Sequence, residues 1–245
     1  METYSNYNPN TQTDLTQPTS EGSPASATNP PDSYPDSSSK ISITNDKDYD
    51  IVLHPLANAD QSPINSGPIT IPAGQTTEID IAALTGSESW AGNFEIRAAE
   101  TNEPTGAMLE VATNQDIGAG EPSTYFNISY INGVPHNSNE EDFINTKAYY
   151  PDGQTQGNDA DMNQYLNYGK LSENGTLMKP SQNGELLSDV NGGGNNAIAQ
   201  ELLNYREQTG SSFYLYTGTS SANYADDELS QSFSGTDSGM SVVFY

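Results

Sequence analysis

The segment that decides the fold is FNISYINGVP, from Phe126 to Pro135. Together with Tyr125, its first residues alternate between two sides of the chain as far as Ile131, which predicts a half-buried β-strand. The Asn-Gly-Val-Pro sequence that follows supplies turn residues. The segment therefore predicts a strand over 125–131 that leads into a tight turn.

Short alternating segments of the same kind recur along the chain. Isoleucines two positions apart occur at 41 and 43, at 69 and 71, and at 79 and 81. Further strands are predicted over Tyr49–Leu53, Asn93–Ala98, Ala107–Thr113 and Ser241–Tyr245. Many short strands separated by Asn-Asp, Pro and Gly predict an all-β domain built as a sandwich or barrel.

These strands define one domain, residues 40–245, which follows a very different N-terminal segment. Residues 1–39 are rich in Pro, Ser, Asn and Thr, and they hold too little apolar surface to form a core. We expect an arm whose removal leaves the fold and the melting of the domain nearly unchanged. Within the domain, residues 145–210 contain many glycines and predict a loop-rich insertion, in which Ala197–Gln208 forms the principal amphipathic helix.

Charge and composition exclude several classes of partner. The chain has 33 acidic and 7 basic residues, a net charge of −26, and would repel a nucleic acid backbone. Such acidity suits a halophilic protein, because salt screens the repulsion between carboxylates. With no cysteine, the chain has neither disulfides nor thiolate metal ligands, and no apolar run reaches the length of a membrane span. We expect a soluble protein without a secretory signal, membrane insertion, cofactor or metal site.

Several segments, in the same order, resemble the thaumatin-like protein family without its cysteines. The opening strands ISITN and YDIVLH resemble the family's T-I-x-N strand pair. WAGNFEIR, from Trp90 to Arg97, resembles W-S-G-R-F-W-x-R, and FNISYINGVP resembles Y-D-V-S-L-V-D-G-F-N-x-P. YADDELSQSF, from Tyr224 to Phe233, resembles the closing Y-x-x-D-D-x-x-S-x-F. The resemblance rests on their shared order over about 200 residues, because short motifs gain weight only from context.

The resemblance implies a thaumatin-like two-sheet β-sandwich with an acidic cleft that binds β-1,3-glucans. The family's cleft is described by one arginine, one glutamate and three aspartates. The matching positions here are Arg97, Glu110, Asn127, Asn132 and either Asp226 or Asp227. Two of the three aspartates are therefore asparagines in this chain.

That difference bears on catalysis. Glycoside hydrolysis needs one carboxylic acid and a second carboxylate across the scissile bond, and an amide can replace neither. Amide groups do hydrogen-bond sugar hydroxyls, since they offer two donors and an acceptor. The two asparagines therefore favour binding over catalysis.

Three functions stay open from the sequence. The first is a non-catalytic module that binds β-glucan-type carbohydrate through the matching cleft residues, Arg97, Glu110, Asn127, Asn132, Asp226 and Asp227. The second is a structural subunit of an extracellular filament, sheath or virion, which self-associates through residues 1–39. The third is a weak endo-β-1,3-glucanase with Glu110 as general acid and Asp226 as its partner. The resemblance favours an extracellular, cell-surface or virion location, and a cytoplasmic one stays open.

Other conspicuous residues have simpler explanations. Trp90 is the single tryptophan and more often belongs to a core than to a sugar platform. Arg97 can form a structural ion pair or contact a ligand, and both interpretations stay open. Asp152, Asp159 and Asp161 suit calcium in type, but they lack the rest of a calcium-binding loop, which favours a solvated loop.

Overall fold

The computed structural model describes residues 29–116, 118, 122–131, 133–173, 196–215, 231–234 and 237–245. Strands dominate these residues, and helices are few and mostly short. The four helices found there are α1 (Ile81–Thr85), α2 (Met162–Tyr165), α3 (Tyr168–Glu173) and α4 (Asn196–Thr209). The structure thus confirms the all-β prediction.

Two large sheets organise the strands. The five-stranded sheet has the order β11 (Thr155–Gly157), β10 (Thr146–Tyr149), β13 (Met240–Phe244), β1 (Lys40–Asn45) and β4 (Thr76–Asp80). The six-stranded sheet has the order β12 (Gln231–Ser234), β7 (Ser123–Ser129), β6 (Met108–Gln115), β5 (Trp90–Ala98), β2 (Ile51–Ala57) and β3 (Ile69–Ile71). β8 (His136–Asn137) and β9 (Asp142–Phe143) form a separate pair. In the two large sheets, β1 and β13 pair in parallel and the other neighbouring strands pair antiparallel.

The two large sheets contribute side chains to one core. Ile41 and Ile43 of β1 and Phe94 and Ile96 of β5 belong to the same buried apolar cluster. Burial alternates strictly along β5, so every second residue faces this cluster and the residues between them face away. The faces that point away from the core carry the polar side chains considered below.

Most strands predicted from alternating isoleucines are present, but Ile81 is not in a strand. β4 ends at Asp80, and Ile81 begins α1. The Asp80 carboxylate accepts a hydrogen bond from Ala83 N at 2.8 Å and caps the helix, while Gly86, with φ of 76°, ends it. The prediction of a strand through Ile81 was therefore wrong, because a cap and a glycine stop follow the alternating pair.

The residues just before β1 belong to the packed part of the chain. Pro35, Ser38 and Ser39 are buried. Gly239 N donates to Pro35 O at 2.8 Å, and Ile81 N donates to Ser39 O at 3.0 Å. Because these bonds reach the residue before β13 and the first residue of α1, residues 35–39 hold the start of the five-stranded sheet in place. Their removal should therefore cost stability, in contrast to the expectation for an arm that ends at residue 39.

The range 145–210 contributes strands as well as loops and the long helix. β10 lies inside the five-stranded sheet, between β13 and β11. The predicted helix Ala197–Gln208 is present as α4, whose Leu202 and Tyr205 are buried. Residues 211–215, which follow α4, join the two large sheets: Gly157 N donates to Ser212 O at 2.7 Å, and Tyr214 N donates to Ile128 O at 2.7 Å.

Candidate functional site

Three polar side chains lie side by side across the middle of the six-stranded sheet. Asn93 of β5 is directly opposite Glu110 of β6, and Glu110 is directly opposite Asn127 of β7. All three are half-buried and face away from the core, since the residues that flank each of them along its strand are buried. Directly opposed side chains on one face stand about 5 Å apart at Cβ, so this polar row spans about 10 Å.

The polar row lies in a shallow pocket of about 170 Å³. Tyr125 and Asn58 also line it, and Tyr125 is opposite Ala112, the next outward position along β6. The pocket thus combines two kinds of group that contact sugars, hydrogen-bonding side chains and an aromatic ring. Of the residues matched to the family cleft, Glu110 and Asn127 are adjacent here.

The strand beneath the pocket is fixed by Trp90 and Gly92. The Trp90 side chain is fully buried, packs on Phe94 with ring centroids 5.7 Å apart, and donates from Nε1 to Ser62 O at 2.9 Å. A Cβ atom at Gly92 would lie 2.4 Å from the Trp90 ring and 2.6 Å from the Leu56 carbonyl oxygen. Only glycine therefore fits there, and Trp90 is a core residue with no surface on which a sugar could stack.

Arg97 lies on the same face but apart from the polar row. It is four positions along β5 from Asn93, which is about 13 Å at the rise of a strand. Its guanidinium donates to Glu95 Oε2 from Nη2 at 2.6 Å and from Nε at 3.1 Å. The other oxygen of Glu95 accepts from Gly106 N at 2.9 Å. The pair therefore ties β5 to the turn that connects it to β6.

Glu95 is the second carboxylate on the outward face of β5 and β6. Glu95 is opposite Met108, so it is a diagonal neighbour of Glu110, and such positions are about 7–8 Å apart. Both oxygens of Glu95 are engaged, one by Arg97 and one by Gly106. A carboxylate held in this way is poorly placed to act as base or nucleophile. The other matched positions, Asn132, Asp226 and Asp227, lie outside the described residues.

Gln156 connects the polar row to the second sheet, and the sequence gives no signal for it. This fully buried side chain on β11 accepts from Ile128 N at 2.8 Å, and its Nε2 lies 3.5 Å from Asn127 Oδ1. β12 pairs with β7 only as far as Phe126. Beyond that point, Gln156 supplies a hydrogen-bond acceptor for the backbone of β7. Asn93 and Tyr125 were also missed, because alternation predicts which face a residue is on but not its neighbour in the next strand.

The aspartates with D-x-D spacing have partners within the protein. Lys147 forms an ion pair with Asp159, and Asp152 accepts from Gln154 N at 3.0 Å. Burial raises the pKa of Asp161, but hydrogen bonds from Asn145 and Asn163 outweigh it and hold that pKa below its ordinary value. Within the described ranges, no group of three or more His, Asp or Glu side chains is arranged to hold a metal ion.

No protein-family model matches this sequence, and no curated protein is significantly similar to it. Among the helices of the described residues, none has the length and apolar character that a membrane span requires.

Proposed function

We propose that this protein is a non-catalytic carbohydrate-binding domain with a thaumatin-like two-sheet β-sandwich fold. Its ligand is a β-glucan-type chain that lies across the polar row. The observation that carries the proposal is the direct cross-strand adjacency of Asn93, Glu110 and Asn127 in one shallow pocket. The two large sheets with one common core support the sandwich.

The chemistry of the row suits sugar hydroxyls. Each asparagine amide offers two N–H donors and a carbonyl acceptor, and the Glu110 carboxylate accepts from hydroxyl groups. Tyr125 adds an aromatic ring beside them, on which the C–H face of a sugar can pack. A row about 10 Å long is wide enough for two sugar units, so a chain lying across the strands would contact all three polar residues.

Catalysis is disfavoured by the carboxylates present. Hydrolysis needs two carboxyl groups with different roles across an open groove. Glu95 is the carboxylate beside Glu110 in the described residues of β5 and β6. Its two oxygens already accept hydrogen bonds from Arg97 and from the backbone N–H of Gly106. We therefore assign Glu110 to ligand binding as an acceptor.

A binding assay on matched variants tests the proposal. Isothermal titration with laminarihexaose, a β-1,3-glucan hexamer, should show saturable binding to the wild-type protein. Asn127→Ala and Glu110→Gln should each weaken it by about three- to tenfold, the worth of one hydrogen bond. Glu140→Gln removes the same charge at an exposed position away from the row and should bind like wild type.

Two outcomes would contradict the proposal. One is an absence of binding to laminarihexaose and to insoluble β-1,3-glucan at both low and high salt. The other is release of reducing ends from the glucan by the wild-type protein that Glu110→Gln abolishes, which would make Glu110 a catalytic acid.

A further inference from the structure

A second pocket lies on the five-stranded sheet, on the face that points away from the core. Lys147 and Tyr149 of β10 line it, whereas Ala148 between them is part of the core. Thr155, opposite Tyr149 in β11, and Tyr245, next to the end of β13, line it too. The pocket has a volume of about 640 Å³, within the usual range for a small-molecule site. We call it the tyrosine pocket, after Tyr34, Tyr149 and Tyr245.

Three tyrosines from separate parts of the chain line this pocket, of which Tyr34 and Tyr245 are half-buried and Tyr149 is buried. Burial and the nearby Asp159 raise the pKa of Tyr149 to about 12, and burial also raises the pKa of Tyr34 and of Tyr245. At neutral pH all three rings are therefore neutral phenols. Tyr245 is already oriented by the fold, because its hydroxyl donates to Asn158 O at 2.9 Å.

The polar groups of the pocket include both donors and acceptors. Asp159 and Asp161 supply carboxylates, and Thr155 supplies a hydroxyl at an exposed position. Gln154, also exposed, adds an amide whose Nε2 already donates to Asp152 Oδ2 at 2.6 Å. Lys147 is 5% exposed, and its ammonium is already paired with Asp159. An anion would therefore meet two carboxylates and a cation that is neutralised, so negatively charged ligands are disfavoured.

We propose that the tyrosine pocket is a second carbohydrate site, which takes a neutral sugar unit. Aromatic rings beside a mixed set of hydrogen-bond donors and acceptors match a ligand that has C–H faces and many hydroxyls. An organic cation would use the rings and the acceptors, but it would have no use for the amide and hydroxyl donors. The ligand class of the tyrosine pocket rests on the proposed function. Its residues and its sheet, however, differ from those of the polar row.

The two sites are connected through one short strand. Thr155 of β11 faces the tyrosine pocket, and the next residue, Gln156, contacts Asn127 of the polar row.

Tyrosine-selective NMR can test this site separately from the polar row. Protein labelled with ¹³C-tyrosine is titrated with laminarihexaose, and Tyr34, Tyr149 and Tyr245 report the pocket while Tyr125 reports the row. We expect saturable shifts of the pocket signals in wild type and equally in the double variant Glu110→Gln, Asn127→Ala.

The pocket variants complete the experiment. Tyr34→Ala should weaken the pocket response by about three- to tenfold, the worth of one ring contact, while Tyr34→Phe keeps it and Tyr125 responds as before. Thr155→Val, which preserves shape, should also weaken it. Pocket signals that do not move with laminarihexaose would overturn the proposal, even if Tyr125 moves. So would pocket signals that respond to tetramethylammonium and not to the sugar, which would show a site for organic cations.

Discussion

The ion pair between Lys147 and Asp159, in the wall of the tyrosine pocket, contributes to stability in a way that can be measured. The Lys147 side chain is 6% exposed and that of Asp159 is 40% exposed, so the two charges have very different access to water. Asp159→Asn leaves a buried ammonium without its counter-charge. Removing one partner from a fully buried pair costs about 3–5 kcal/mol, and the partial exposure here reduces the expected loss to about 2–3 kcal/mol.

The reverse substitution should cost much less. Lys147→Met keeps the length of the aliphatic chain, and Asp159 remains in contact with water, so we expect a loss below about 1 kcal/mol. The double variant should resemble Lys147→Met alone, because no buried charge is left. Asp152→Asn is the matched control, since it removes the same charge at an exposed position.

Thermal and urea unfolding measure these differences. For a domain of this size, about 2–3 kcal/mol corresponds to a fall in Tm of about 5–10 °C for Asp159→Asn. The ion pair does not stabilise the fold in this way if Asp159→Asn stays within about 0.5 kcal/mol of wild type, or if Lys147→Met costs more than Asp159→Asn.

Three further predictions concern stability. Burial lowers the pKa of His136, so below about pH 6.5 this histidine binds a proton in the unfolded chain but not in the folded protein. The urea midpoint of the wild-type protein should therefore fall between pH 7 and pH 5.5. The midpoint of His136→Gln should fall less over the same range. Gly157→Ala would place a Cβ atom 2.1 Å from a backbone oxygen of β10, so it should abolish folding or lower Tm sharply. In Gly153→Ala the new Cβ atom meets nothing within 4 Å, and this variant should cost only about 1 kcal/mol. Calorimetry on the two variants measures the difference. Deletion of residues 1–39 should lower Tm by several degrees more than deletion of residues 1–34. The reason is that only the longer deletion removes the backbone hydrogen bonds to Gly239 and Ile81. Equal melting curves for the two deletions would contradict this.

The sequence predicted those parts of the fold in which one face of a strand is apolar. The isoleucines of β1 and β3 mark their positions through period-two alternation. β10 was missed because its four residues, Thr-Lys-Ala-Tyr, are all buried and include a charge, so they show no alternation. The lysine is tolerated there only because Asp159 lies beside it, and a contact of that kind cannot be seen in the sequence.

The candidate site was predictable to a smaller extent. The resemblance to thaumatin-like proteins selected Glu110 and Asn127, which are neighbours, and Arg97, which pairs with Glu95 instead. Asn93 joins the row through strand register, which depends on the whole sheet. The tyrosine pocket depends on three distant segments and left no local signal.

We propose that the polar row binds carbohydrate without cleaving it. One titration of laminarihexaose, followed by calorimetry and by reducing-end release in the same samples, tests it most directly. We expect saturable binding that Asn127→Ala weakens by about three- to tenfold, and we expect no release of reducing ends. Affinity unchanged by Asn127→Ala and by Glu110→Gln, or release of reducing ends that depends on Glu110, would contradict it.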